Sequence, residues 1–232
     1  MDTKYKDNSP FHSRDVVTFT RMRFYENEKG KYYYDGLIDP SEAMTYGSLV
    51  HLKLLENKRF ERNAALYKSI LTEGKLYPFE ASIENLLKNK VHFNFLKGKI
   101  REKLLKFTIK TDSKKEIKCE STIDLVNEKG WLVDLKTTNS LEELKYSIYK
   151  YRYDMQLSFY KKACEENDIQ IIGVAILGIE KSIPHESHVF LLSDDTLERG
   201  EFGDDKVRGW RQIAAEMVFN PQRRFQDEFT LI

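Results

Sequence analysis

Glu116-Ile117-Lys118-Cys119-Glu120-Ser121-Thr122-Ile123-Asp124-Leu125-Val126-Asn127-Glu128-Lys129-Gly130-Trp131-Leu132-Val133-Asp134-Leu135-Lys136-Thr137 is the stretch that decides the fold. Its two halves are rich in Ile, Val, Leu, Thr and Trp, which suit a pleated, half-buried surface. Between them Asn127-Glu128-Lys129-Gly130 has the chemistry of a tight turn. The reading is two strands, residues 116–127 and 130–137, joined as a hairpin. Alternate residues of a strand share a face, so Asp134 and Lys136 lie on one side and Asp124 can meet them across the hairpin. The second strand is apolar from Trp131 until the charged pair, which places those charges where a buried strand emerges. Carboxylates are seldom set at the end of a core strand without partners.

Outward from the hairpin, Lys103 to Thr111 reads as a preceding strand, separated by Asp112-Ser113-Lys114-Lys115. After the hairpin, Tyr149 to Glu165 is helical, with Tyr149, Tyr153, Gln156 and Tyr160 spaced four, three and four apart and so on one face. The apolar run Ile169 to Ile179 fits a buried strand, His188 to Leu192 its neighbour, and Trp210 to Phe219 a closing helix. Upstream, the turn-like Asp39-Pro40 and a capping Ser41 precede Leu49, Leu52 and Leu55 at helical spacing. That predicts a helix over 42–57 with His51 in its middle, and more helix through Leu71. The fold class is therefore α/β, a mixed central sheet flanked by helices with an N-terminal helical elaboration. At 232 residues one domain is expected: a mostly helical part over 1–100, a sheet core over 101–195 and a helical part over 196–232.

Composition narrows the function. Hydrophobic residues are 41% and charged residues 32%, a globular balance. No apolar run approaches the roughly 18–20 residues that cross a bilayer, and Met1 to Pro10 lacks the apolar core of a signal peptide, so the expectation is a cytoplasmic protein without membrane contact. Two cysteines, Cys119 and Cys164, are too few for a disulfide framework, a zinc site or an iron–sulfur cluster, and read as small buried hydrophobes. Net charge is +1, but unevenly spread: Lys90 to Lys118 holds ten Lys/Arg against three Asp/Glu, Glu186 to Lys206 two against seven. The first stretch is expected to attract phosphates and the second to repel them.

Two carboxylates and a backbone carbonyl, here that of Leu135, form a hard oxygen cage suited to Mg²⁺ or Mn²⁺. With an ammonium beside it to orient or deprotonate water, that is the chemistry of phosphodiester hydrolysis.

Four motifs in order then resemble one family. Gly47-Ser48-Leu49-Val50-His51 is similar to the N-terminal histidine motif of the RecB-like and exonuclease VIII-like branch of PD-(D/E)XK nucleases. Val133-Asp134-Leu135-Lys136-Thr137-Thr138 resembles its Asp-x-Lys-Thr-Thr motif, and Gln156-Leu157-Ser158-Phe159-Tyr160 its Gln-xxx-Tyr motif. Gly178-Ile179-Glu180-Lys181-Ser182-Ile183-Pro184 looks like its Val-Glu-Lys-x-x-Pro-Pro stretch. The resemblance implies a restriction-endonuclease-like core. His51, Asp124 and Asp134 would bind metal, Lys136 would activate water, and Gln156 and Tyr160 would support the lysine and a DNA phosphate. It also implies a Mg²⁺-dependent deoxyribonuclease acting as an exonuclease on double-stranded DNA ends in phage-type recombination, with a single-strand annealing protein as partner and a ring-shaped homo-oligomer. An endonuclease on the same scaffold, or a DNA-binding or assembly protein without catalysis, stays open. The family usually carries a further acid about 20 positions ahead of the metal-binding Asp, where this chain reads Lys103 to Thr108. Glu102 lies slightly too far back, while Glu120 shares the strand of Asp124 at an even spacing, so either could substitute as a ligand.

Overall fold

The computed structural model describes residues 16–27, 42–71, 73–111 and 114–219. The expected turn at Asp39-Pro40 and the cap at Ser41 lie outside the described residues. Among the described residues the sheet has six strands: β1 (Val16–Val17), β2 (Gly98–Lys110), β3 (Glu116–Asn127), β4 (Trp131–Thr138), β5 (Gly173–Glu180) and β6 (Ser187–Leu191). β3 pairs antiparallel with β2 along its whole length, with β4 at one end of its other side and with β1, in parallel, at the opposite end of that side. β4 and β5 are parallel, and β6 closes the sheet antiparallel to β5. This is the mixed sheet expected from the order of elements.

Helices cover both faces. α2 (Glu42–Leu55), α3 (Asn57–Arg62), α4 (Ala64–Ile70), α5 (Glu73–Lys88) and α6 (Lys90–Phe95) precede β2, and α1 (Phe19–Asn27) follows β1. α7 (Leu141–Lys150) and α8 (Tyr153–Glu165) make the crossover that parallel β4 and β5 require, while α9 (Asp194–Phe202) and α10 (Trp210–Phe219) follow the last strand. One core joins α1, α8 and α10 to the sheet through Met22, Phe159 and Trp210; the other joins α2 and α5 to it through Leu49, Val50 and Phe79. β4 divides between them, Leu132 entering the first, Val133 and Leu135 the second. Burial on both faces explains why β4 and β5 read as nearly unbroken apolar runs.

The β3–β4 turn forms as expected. The Asn127 side-chain oxygen accepts from the N–H groups of Lys129 (3.0 Å) and Trp131 (2.9 Å), and Gly130 takes a φ of +90°, a conformation that costs glycine least.

Two expectations need correction. The helix predicted over 149–165 is two helices, broken at Tyr151-Arg152, with Arg152 left-handed at φ +59°. Its guanidinium is held by Glu26 (3.3 Å), Asp154 (3.3 Å) and the carbonyl of Arg208 (2.8 Å), so tertiary contacts impose a conformation the sequence does not announce. Tyr149 thus belongs to α7 and does not share a face with Gln156 and Tyr160. Further, β2 begins at Gly98 and not at Lys103. Its register sets Arg101 opposite Leu125 and Lys103 opposite Ile123, which brings Glu102 to the level of Asp124.

At that level the alternation of both strands inverts. Leu105, Phe107, Ile117, Cys119 and Ile123, all odd-numbered, face one core together with the even-numbered Ile100 and Val126, whereas Leu125 faces the other. Glu102 itself has a φ of +43°, rare for a side chain with a Cβ.

Candidate active site

β3 and β4 pair only at Leu125–Val133 and Val126–Leu132, then separate. Beyond the separation Leu135 has no β3 backbone opposite it, and side chains replace the missing strand. The Asp124 Oδ2 accepts the Leu135 N–H at 2.8 Å, and His51, reaching over from α2, meets the Leu135 carbonyl through Nε2 at 2.9 Å. Backbone groups buried in a sheet must find partners, and here site residues provide them. A carbonyl only accepts, so His51 carries its proton on Nε2 and turns Nδ1 toward Asp124 (3.5 Å) and Glu102 (3.7 Å). One ligand atom each from His51, Glu102 and Asp124 lie within 4.8 Å of one another.

Asp134 and Lys136, two residues apart on β4, project to the same side, and the ammonium lies 2.5 Å from Asp134 Oδ2. Asp134 is 1% exposed, and neither of its oxygens has a properly oriented hydrogen bond in the described protein; the ammonium contact is an ion pair. Burial pushes its carboxyl up to about 6, against the pull of Lys136, and Asp124 adds to the rise. Burial alone would lower the Lys136 ammonium, but Asp134 and Asp124 outweigh it and hold the proton more tightly than usual. Burial likewise works against protonated His51, yet Asp124 and Glu102 raise it to about 9. Every one of these shifts retains protons, the sign of a pocket holding more buried negative charge than its own cations neutralise.

The donor set fits a divalent cation: the carboxylates of Asp124 and Glu102 and the His51 Nδ1 lie together, with the buried Asp134 beside them, whereas the Leu135 carbonyl, expected as a ligand, lies on the opposite, Nε2 side of the imidazole. His51 is also fixed from behind by a backbone carbonyl, as metal-ligating histidines are. On α8 the Gln156 side-chain amide donates to the Tyr160 hydroxyl at 2.8 Å, and Tyr160 is raised well above the usual phenol range by burial, then by Asp134 and Asp124.

Glu120 falls outside this group. It forms an ion pair with Lys106, its cross-strand partner, at 3.1 Å. Four residues along a strand span about 13 Å, so an even spacing does not bring Glu120 to Asp124. Glu102 stands there instead. By spacing along the chain it lies slightly too far back, and the register of β2 brings it level with Asp124 all the same.

The site opens into a cleft of about 730 Å³ between α2 and the α7–α8 joint, lined by Arg23, Arg59, Lys136, Tyr151 and Tyr153 together with His51, Glu56 and Glu102, while Asp124 and Asp134 are not on its wall. From the basic stretch 90–118 only Glu102 reaches it. That stretch runs through the outer strand β2, and the Arg101 guanidinium is committed to the carbonyls of Leu54 (3.2 Å) and Leu96 (2.7 Å). Tyr153 stands on the helical face that the spacing with Gln156 and Tyr160 marked, whereas Arg23 and Tyr151 are brought in by the tertiary fold. The cysteines are buried and free as expected, and burial pushes both thiols up to about 12.

The family described as PDDEXK-like domain of unknown function (DUF3799) matches residues 19–208, which include every residue of the site. The chain belongs to this family. It therefore falls in the PD-(D/E)XK nuclease superfamily, as the four motifs imply. Among solved structures, a protein from Eubacterium rectale bearing the name "Putative exonuclease" superimposes with a TM-score of 0.66 at 14% identity, covering 97% of this chain and 86% of that one. The likeness is one of fold. The crystal structure of SSO0001 aligns at a TM-score of 0.34 and 14% identity, over 91% of this chain and 89% of that one, too distant to bear on the fold. No curated protein matches the chain. Among the described residues no helix is long and apolar enough to cross a membrane.

Proposed function

We propose that this family member is a divalent-metal-dependent deoxyribonuclease working as an exonuclease on double-stranded DNA ends. The observation that carries the reading is the strand separation at Leu135. There Asp124, Glu102 and His51 converge beside a buried Asp134 whose charge the protein leaves unbalanced.

His51, Glu102 and Asp124, with Asp134 beside them, would hold Mg²⁺ or Mn²⁺. Such an ion, when bound, lowers the pKa of a coordinated water and screens charge growing on the phosphodiester. The chain's own residues do the rest. Asp124 and His51 are locked by their bonds to Leu135, so their positions follow β4 rather than side-chain rotamers. Lys136, kept as an ammonium by Asp134 and Asp124, is placed to orient the attacking water or a phosphate oxygen. Tyr160, whose hydroxyl oxygen accepts from the Gln156 amide, keeps its phenolic proton and would offer it as a hydrogen bond to phosphate. Arg23 adds positive charge to the cleft, while Arg59 is paired with Glu56 on the same wall.

Exonuclease action, a role in phage-type recombination beside a single-strand annealing protein, and assembly into a ring belong to this reading through the exonuclease VIII-like motifs. The deciding experiment is digestion of linear and closed circular duplex DNA side by side with Mg²⁺, Mn²⁺ or EDTA. The expected result is metal-dependent loss of the linear form alone. Equal cutting of circles makes the protein an endonuclease, and intact DNA with both metals overturns the reading.

A further inference from the structure

Where the chain leaves α7 for α8 it reads Tyr149-Lys150-Tyr151-Arg152-Tyr153, aromatic and basic residues in strict alternation. The aromatics divide by direction. Tyr149 turns away: its hydroxyl lies 3.3 Å from that of Thr196, and the Arg199 guanidinium sits 4.8 Å from its ring centre. Tyr151 and Tyr153 turn into the cleft. Their ring centres are 5.9 Å apart and the planes are inclined by 41°. The Lys136 ammonium is 4.7 Å from the Tyr153 ring, so this aromatic pair begins at the catalytic lysine. It ends outward at Tyr151, which is 39% exposed and has Lys150 at 5.3 Å and Arg23 at 6.0 Å.

We infer that Tyr151 and Tyr153 form a stacking platform for unpaired bases, so that the strand to be cut reaches Lys136 as single-stranded DNA. The inference rests on the nuclease reading and deepens it: the end of the duplex that reading names would enter the site unpaired. Every base offers a flat π-face, and aromatic side chains interleaved with cations are how single strands are held without regard to sequence. The inclination argues against a duplex terminus as the occupant. Two rings 41° apart cannot both lie flat on one base pair, whereas successive bases of a flexible strand can turn to meet each ring. The flanking cations are placed to meet the backbone phosphates as the bases stack. Arg152, between the two tyrosines, stays out of the cleft because Glu26, Asp154 and the Arg208 carbonyl hold it. Its left-handed backbone is what turns the two aromatics to one side.

The test is binding of end-labelled oligothymidylate to the full chain in EDTA, where no strand is cut, followed by fluorescence anisotropy. Tyr151→Ala should weaken binding about tenfold, the scale of one lost base stack, while Tyr151→Phe and Tyr151→Trp keep wild-type affinity. A blunt hairpin duplex should be affected far less. An oligonucleotide with 2-aminopurine at its end should be quenched by wild type and not by Tyr151→Ala, a signature that altered folding alone does not give. Unchanged oligothymidylate affinity in Tyr151→Ala, an equal loss in Tyr151→Phe, or an equal loss for the blunt duplex each overturns the platform. Hydrolysis of duplex DNA by the wild type with Mn²⁺ is scored separately: its absence overturns the nuclease reading and leaves the binding result to judge the platform alone.

Discussion

Two buried aspartates in this protein make opposite bargains with the fold. Asp154, 0% exposed on α8, is bracketed by Arg199 at 2.7 Å and Arg152 at 3.3 Å, and those arginines tie α8 to α9 and to the loop before α10. Asp134, 1% exposed on β4, has one lysine in ion-pair contact and further acids nearby, and its carboxyl is pushed up to about 6. The first is a closed network whose charges cancel. The second is an open one that gains by admitting a cation. Burial and residue type are the same, so the number and sign of the neighbours separate a structural carboxylate from a ligand.

The largest effect that could break this contrast is on catalysis. Lys136→Ala should cut DNA hydrolysis about 10²- to 10⁴-fold, the usual scale of losing a group that steers proton and water in the transition state, with DNA binding kept. Retention of more than about a tenth of the rate, under ~1.4 kcal/mol of barrier, would show that Lys136 only pairs with Asp134.

Next in size is stability. Asp154→Asn should cost about 1.5–3 kcal/mol in denaturant unfolding, the scale of hydrogen bonds to charged groups, because Arg152 and Arg199 lose their shared carboxylate and keep only the acids Glu26 and Asp204. Asp134→Asn should do the reverse in EDTA and raise stability by about 1–3 kcal/mol, at roughly 1.4 kcal/mol per unit of pKa shift. The sign follows from a folded-state pKa raised above 3.8: the carboxylate opposes folding above about pH 6, and its cost fades as pH falls through that value. The gain should therefore shrink below pH 6. A destabilised Asp134→Asn would make both aspartates structural.

Metal uptake should show the same protons. Asp134 holds its proton up to about pH 6 and His51 up to about 9, so a cation must displace both at low pH and only that of His51 between. Calorimetric Mn²⁺ affinity should rise with pH by about tenfold per unit between pH 6 and 9 and more steeply below. A flat profile would remove His51 from the ligand set. The smallest effect should be at Glu120, whose partner Lys106 is largely exposed: Glu120→Gln should leave Mn²⁺ affinity unchanged and shift stability by about 1 kcal/mol or less. Weakened metal would return Glu120 to the site.

The hairpin from Glu116 to Thr137 was legible because local signals agree: alternation, β-branched residues and an Asn-to-Gly turn that the structure builds from Asn127 and Gly130. Asp124, Asp134, Lys136 and His51 could be chosen because the motif residues stand in order along the chain, and the structure brings them together. Between Glu102 and Glu120 the sequence left the choice open, for a reason of register. The place of Glu102 depends on β2 starting at Gly98 and on a left-handed residue within a strand, neither of which a composition of Lys and Leu reveals. The α7–α8 break was hidden in the same way, since Arg152 is an ordinary helix former whose conformation is set by Glu26 and Arg208, far off in sequence. Arg23 in the cleft is a purely tertiary outcome.

The separation of β3 from β4 also gives the protein an internal reporter. The Leu135 amide lies in the middle of the sheet, yet its hydrogen bond goes to the Asp124 carboxylate and not to a neighbouring strand. Its solvent exchange therefore follows the state of a side chain. In Asp124→Ala, exchange at Leu135 should accelerate while Leu132, whose partner strand is intact, keeps its protection. A single backbone proton can thus register changes at the acid cluster before any DNA is added.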